Sequence, residues 1–564
     1  MSRTRPSAAQ FVVLLLIAVI GFFVVYPLAL IVINSFNVAG PGQAPVYSAR
    51  AWAQAWQGPG LGQALWNTVA VGVCYQAVSF PIGILLAWLL GRNKVPFGRA
   101  LEFGFWLSYF LPPLSATLGW MLLLDPRGVL NNFLASTFHV TGPFNIYSFA
   151  GIVWVHLMAR DISEKVILLT PAFRNMDAAL EEAGYTSGAD RWRTLLRVTL
   201  PIMTPALVIV FFLGFVRLFE SFEIELLLGV PFGFYVFSTK IVDLAQQVPP
   251  LLGQATALGS VTLVLLLIAM PVQRWLTTRR SYTTVTGRIQ PAMMDLGRWT
   301  WPVFALIAAV VGLLVVVPLA SVIAGSFMTR FGFFSLAHPW TLGNWQRTLS
   351  TPAFDQSLFN TFEIAIVSAV VAPIVFSVVA YVLVRARVAW GRGVLDFLLW
   401  LPSVIPGALA GLGLLWMFVG TPIFRPIYGT IWVLVIAVIL NGMTLSTQTL
   451  KAAFLQLRGD LEESARMSGA GWLRTYFQIV LPLIAPTLIV VAAIKFMYAA
   501  NATSNIILLA TSDTRTLSLL ALGFVADGQR EAATVITVVI TAITTVMAIL
   551  VRTLGLNVGL RPSR

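Results

Sequence analysis

Apolar runs of twenty or more residues recur along the whole chain, and nothing else in the sequence limits its folding so strongly. A bilayer core about 30 Å thick is spanned by about 20 mostly apolar helical residues. Runs of that kind are centred in 11–35, 65–90, 101–124, 149–170, 203–228 and 252–272, and again in 301–327, 358–384, 394–419, 429–450, 483–509 and 532–551. The expected fold is therefore an all-α polytopic membrane protein with about twelve spans. Alternating ten-residue strands, the signature of a barrel, are not the pattern here. The 564 residues are 58% hydrophobic and 10% charged, against about 25% charged in soluble domains. No water-soluble fold hides that much apolar surface. The first run, near the N-terminus, is long enough to read as a retained span rather than a signal peptide.

The net charge of +14 would suggest nucleic acid in a soluble protein. Here the basic residues sit in short loops between apolar runs. With the N-terminus inside and the spans alternating, 24 of the 36 Lys and Arg fall in inside loops and 8 in outside loops. That bias predicts both termini in the cytoplasm. The single cysteine, Cys74, and three scattered histidines, His139, His156 and His338, offer neither a disulfide nor metal-ligand spacing. Trp52, Trp56, Trp340 and Trp345 read as interfacial anchors.

The chain is a doubled unit. EEAGYTSGADRWRTLLRVTLP from Glu181 and EESARMSGAGWLRTYFQIVLP from Glu462 share a frame, 281 residues apart. PLALIVINSF from Pro27 matches PLASVIAGSF from Pro318, and LWNTV at Leu65 matches LFNTF at Leu358. The offsets place about a dozen extra residues in the first half, predicted in the outside loop 125–147. The expected domains are 1–273 and 301–564, joined by a cytoplasmic linker, 274–300. Each carries one polar stretch between its fourth and fifth spans, at 172–202 and 451–482. Six plus six spans in one orientation form a parallel repeat, with any pathway expected at the interface of the halves.

Within each stretch, Glu181 and Glu182 suit a helix start. Gly188 and Gly469 suit a break. Leu200-Pro201 and Leu481-Pro482 suit entry to the next helix. Two copies in one frame predict a surface for a two-fold partner. The frame Glu182-Ala183-Gly184, Gly188, Val198, Leu200-Pro201, and its copy Glu463-Ser464-Ala465, Gly469, Ile479, Leu481-Pro482, resembles the cytoplasmic loop of ABC importer permeases of type I. The resemblance implies two such domains fused in one chain. It implies that Glu182, Ala183, Gly188, Leu200, Pro201, Glu463, Ala465, Gly469, Leu481 and Pro482 dock on an ATPase. No GxxxxGK[ST] phosphate loop occurs in the chain, so ATP and Mg are expected on two copies of a separate ATPase subunit. A periplasmic binding protein would deliver the substrate, at a bacterial inner membrane. The chain itself is expected to bind no cofactor or nucleic acid and to catalyse no bond breakage.

Charges lie at mid-membrane depth. Arg160–Glu164 and Asp161–Lys165 are i,i+4 pairs on the fourth span. On a continuous fifth helix, Arg217, Glu220 and Glu223 would share one side and Glu225 would point elsewhere. In the second half neutral residues stand at the same offset: Asn441 for Arg160, Tyr498 for Arg217, Asn501 for Glu220 and Ser504 for Glu223. Two readings stand: Arg160, Asp161, Arg217, Glu220, Glu223, Asn441, Asn501 and Ser504 line an asymmetric path, or the charges are paired struts. The stretch SFEIELLLGVPFGFYVFSTKI is similar to a segment of fused ferric-iron importer permeases, which implies Fe(III) as cargo. Permeases for thiamine, polyamines and phosphonates share such segments. A secondary transporter would also have two six-span halves but would not need the repeated loop.

Overall fold

The structure, a computed structural model, describes residues 8–39, 43–57, 60–140, 142–177, 179–279, 293–334, 336–386, 388–457 and 459–553. The middle of the expected linker, 280–292, lies outside them. All regular structure among the described residues is helical, with isolated bridges such as Asn37 to Tyr47. Six helices are long and apolar enough to cross a bilayer outright, and ten do so when each bent pair counts as one span. Two further helical stretches fill the remaining expected positions. One is 149–174, which carries five ionisable groups near its middle, and the other is Leu252–Arg279.

Two of the expected spans are not continuous. The third span of the first half bends by 95° between Phe110 and Pro113, and its counterpart bends by 112° between Val404 and Gly407. Prolines cause both bends. Pro112-Pro113 and Pro402 with Pro406 withdraw backbone donors and clash with the preceding turn, so one helix stops and another starts. The fifth spans stop early as well. Leu200–Arg217 gives way to turns and then to Glu223–Leu228. Ala485–Ala500 gives way to turns over 501–509. Apolar composition alone did not show these breaks.

Prolines also explain three of the four π-helical turns. Leu195–Thr199, Gly312–Val316 and Tyr476–Val480 each end two residues before a proline, at Pro201, Pro318 and Pro482. The wider turn moves the carbonyl that the proline ring would strike. The fourth turn, Leu157–Asp161, has no such cause, since the next proline is Pro171.

The halves embrace. The first span of each half packs on the third span of the other. The crossing points are repeat-related. A Cβ on Gly413 would lie 3.0 Å from the Pro27 carbonyl oxygen, and one on Gly119 would lie 2.6 Å from that of Pro318. The matching PLA motifs thus mark where backbone meets backbone. On the side away from the two polar stretches, Trp52 and Trp345 donate to Ser35 and Ser326 at the ends of the first spans, at 3.1 and 3.2 Å. These two tryptophans do more than anchor at an interface. The extra residues of the first half form a short helix, Val129–Phe138, in the predicted loop.

Gly119→Val drives a side chain into the Pro318 backbone and is expected to cost about 1–3 kcal/mol. Gly62→Ala, where a Cβ meets nothing within 4 Å, is expected to leave stability unchanged. Thermal unfolding in detergent compares them; equal melting temperatures would contradict the close crossing.

Candidate functional site

The mid-membrane charges gather against the π-turn of the fourth span in the first half. The π-turn shifts the helical register, and the two sequence-expected pairs fare differently. Lys165 reaches Asp161 at 3.3 Å. Glu164 instead meets Arg217 of the fifth span, Nε to Oε1 at 2.9 Å. Arg160 lies over the Tyr109 ring, 4.5 Å from its centre. Tyr109 also accepts from Arg217 at 3.4 Å.

His156, which sequence spacing gave no role, is central. Its Nε2 is 2.7 Å from Glu225, its Nδ1 is 3.7 Å from Asp161, and its ring stacks on Tyr75 at 4.7 Å. Ser221 donates to Glu225 as well. Glu225, which a continuous helix would turn away, is fully buried and part of this network. It faces His156, apart from Glu220 and Glu223. Asp161, Lys165, His156 and Glu225 therefore form one paired network that joins the fourth span to the helix after the fifth-span break.

Glu220 and Glu223 differ from the rest. Both are half-buried, and neither has an ion-pair partner among the described residues. Tyr498 of the second half lies within electrostatic reach of Glu220, Glu223, Arg160 and Arg217. Asn501 donates to the carbonyl of Phe110 at the first-half bend, at 3.3 Å. The two broken fifth spans thus meet at the interface of the halves, with carboxylates on one side and amides on the other. Non-helical backbone at membrane depth persists where it is buried in protein or lines a watery cavity. Ser504 lies against Gly407, where a Cβ would come within 2.4 Å of its hydroxyl. Asn441 ends the helix Ile431–Asn441 at a 52° bend in the fourth span. Lys495, also missed in the sequence, is buried there and donates to the Val438 and Ile439 carbonyls at 3.2 and 3.1 Å. The bend frees those carbonyls, and the lysine satisfies them.

The two polar stretches adopt one geometry. Ala179–Thr186 and Asp460–Met467 are short helices, each closed by a left-handed glycine, Gly188 at φ 82° and Gly469 at φ 80°. The next residue bonds back five positions in both, Ala189 to Gly184 and Ala470 to Ala465, each at 3.0 Å. That is a Schellman closure. Glu182, Ala183, Gly188, Glu463 and Gly469 are exposed, as are Pro201 and Pro482; Leu200 and Leu481 are half-buried, and Ala465 is buried. Leu196, Leu473 and Phe477 add exposed apolar surface beside the helices.

The acidic residue before each motif glutamate does separate work. Glu181, 2% exposed, accepts from Arg92 Nε at 2.9 Å and from Thr199 at 2.8 Å. Glu462, 7% exposed, accepts from Arg385 Nε at 2.7 Å and from Tyr381 at 2.7 Å. Each arginine also caps a carbonyl before the loop helix, Met176 and Leu457, at 2.9 Å. Arg92 and Arg385 end the second spans, and their spacing equals that of the LWNTV and LFNTF repeats. Extending the repeat offset to these charges would have singled out both arginines in the sequence, though not their partners. Removing one partner of a fully buried pair strands the other charge, so Arg92→Ala is expected to cost about 3–5 kcal/mol. Glu182→Ala on the exposed face is expected to stay within about 0.5 kcal/mol. Chemical unfolding in detergent measures both; a neutral Arg92→Ala would contradict the clamp.

Residues 374–558 match the family described as "Binding-protein-dependent transport system inner membrane component". The chain is similar to the ferric transport system permease protein FbpB of Actinobacillus pleuropneumoniae, 28% identical over 528 residues, which are 91% of this chain and 73% of that protein. It is 30% identical over 203 residues to the molybdenum transport system permease protein ModB of Escherichia coli (strain K12), covering 35% of this chain and 85% of ModB. Among solved structures, a bacterial ABC transporter that imports alginate aligns with 48% of this chain and 96% of its own, at 22% identity and TM-score 0.41. The chain belongs to the family of binding-protein-dependent transport inner membrane components, and is a multi-pass permease of an ABC importer.

Proposed function

We propose that this permease carries Fe(III) inward, driven by two copies of a separate ATPase subunit that dock on its two loop helices. A periplasmic binding protein supplies the cargo, and both termini and both loops face the cytoplasm. The domains run 1–273 and 301–564, with coupling loops 172–202 and 451–482. The observation that carries the coupling is the matching backbone geometry of the two loop helices, each with an exposed glutamate, Glu182 or Glu463, and each clamped to a second span. A two-fold ATPase pair needs two equivalent seats. When ATP and Mg close that pair, the loop helices are drawn together. The clamps Arg92–Glu181 and Arg385–Glu462 pass the displacement to the second spans, which pack on the fourth and fifth spans.

Iron is favoured because the ferric permease relatives align with nearly the whole chain, whereas ModB aligns with about a third of it. The unpaired carboxylates Glu220 and Glu223 suit a passing cation, with Arg160, Arg217, Tyr498, Asn501 and Ser504 around them. They hold it weakly enough for release.

Two experiments test these parts separately. Gly188→Asp with Gly469→Asp places a charge on the seats; a Cβ at either position meets nothing within 4 Å, but both residues stand at positive φ, so the uncharged Gly188→Asn with Gly469→Asn, which bears the same backbone strain and is expected to keep the ATPase, isolates the effect of the charge. The wild type is expected to co-purify with its ATPase and the double Asp variant to lose it; retained ATPase would reject docking at these loops. Glu220→Gln with Glu223→Gln is expected to lower cellular iron uptake about tenfold, the rate effect of one lost interaction of about 1.4 kcal/mol. Unchanged iron uptake would remove these carboxylates from the path.

A further inference from the structure

A cavity of about 620 Å³ lies between the halves, on the side away from the loop helices. Repeat-equivalent residues line it, Leu226 with Ile507 and Pro231 with Ser512, so it straddles the pseudo-two-fold axis. Its only charged lining groups among the described residues are Arg515 and Arg530. Arg515 is exposed and has no ion-pair partner among the described residues; its guanidinium lies near Gly523, where a Cβ would be 3.9 Å away. Arg530 is shared with Asp125 at 3.5 Å and stands 5.8 Å from the Tyr147 ring. Asp513 is close in sequence, but it takes a hydrogen bond from Ser512 at 3.3 Å and does not line the cavity.

Arg530 also lines a neighbouring cavity of about 510 Å³ with Arg330 and Arg347. The one acid there, Glu531, accepts the Phe331 N–H at 2.6 Å. Four guanidinium groups thus line two neighbouring cavities that share Arg530. The fold itself does not require them. At the same repeat offset the first half has Phe234 for Arg515 and Pro249 for Arg530.

We infer that this vestibule is a selectivity site that admits small anions: an oxyanion, or a metal carried in a chelate of net negative charge. Concave walls of low dielectric focus the field of the arginines, which enriches anions and repels bare cations. The inference rests on the permease reading only in taking this mouth as the point of entry. On the iron reading, Fe(III) passes the arginines within a negative complex and meets Glu220 and Glu223 deeper in.

The test reads the vestibule without transport. Ala526, an exposed lining residue, is replaced by Cys in a Cys74→Ser background, and the full chain is placed in nanodiscs. Modification rates are compared for an anionic and a cationic methanethiosulfonate reagent of similar size, each normalised to its rate with a free thiol. The anionic reagent is expected to react about tenfold faster at low salt. Arg515→Gln is expected to shrink the ratio, and Arg515→Glu to invert it. Equal rates in the parent, or a ratio indifferent to Arg515, would overturn the inference. If the arginines only seat an acidic protein, Arg515→Gln lowers capture of a binding protein and leaves the ratio unchanged; that outcome also overturns it. Failure here leaves iron uptake and ATPase binding as separate questions.

Discussion

A guanidinium–carboxylate pair at the foot of each half, fully buried at Arg92–Glu181 and partly exposed at Arg385, is the interaction on which the rest depends. Charges this enclosed persist only with nearly all their donors and acceptors satisfied. Each arginine meets a carboxylate and a carbonyl, and each carboxylate takes a second hydroxyl, from Thr199 in one half and Tyr381 in the other. The hydroxyls come from different helices, yet the arrangement is the same. The geometry therefore survived duplication while its supporting residues changed. It fixes a polar surface helix, with little apolar burial of its own, rigidly to a membrane span. A lever that slips against its span would transmit nothing.

Above that shared base the halves diverge. The first half concentrates ionisable groups around a π-turn that no proline demands. The second half has a lysine sealing two carbonyls at a bend. Intramembrane charge is costly and is retained where it has partners or work. The struts among His156, Asp161, Lys165 and Glu225 account for their own cost through pairing. Glu220 and Glu223 do not, and they stand where the broken fifth spans meet. The asymmetry extends to the cavities on the side away from the loop helices, where among the described lining residues every arginine comes from the second half.

Much of this was legible in the sequence. Apolar run length gave the helical membrane fold, and the repeat offsets gave the loop helices, their glycine closures and the site of the inserted helix. What stayed hidden follows from one assumption, that apolar runs are straight helices. Pro112-Pro113 and Pro402 to Pro406 bend the third spans, and turns after Arg217 and Ala500 cut the fifth. Phase carried through a π-turn paired Arg160 with Glu164, which instead meets Arg217. Glu181 and Glu462 were in view but were overshadowed by the motif glutamates beside them. Only folding shows that the neighbour turns inward to an arginine some ninety residues earlier in the first half.

The most direct measurement is cargo imported per ATP hydrolysed in vesicles holding the permease with its ATPase and binding protein. The variant is Arg92→Leu with Glu181→Leu, since an apolar pair can replace a buried ion pair without unfolding the chain. The account predicts that the ATPase still binds and hydrolyses while import per ATP falls. Import per ATP equal to that of the wild type would show that force reaches the spans by another route.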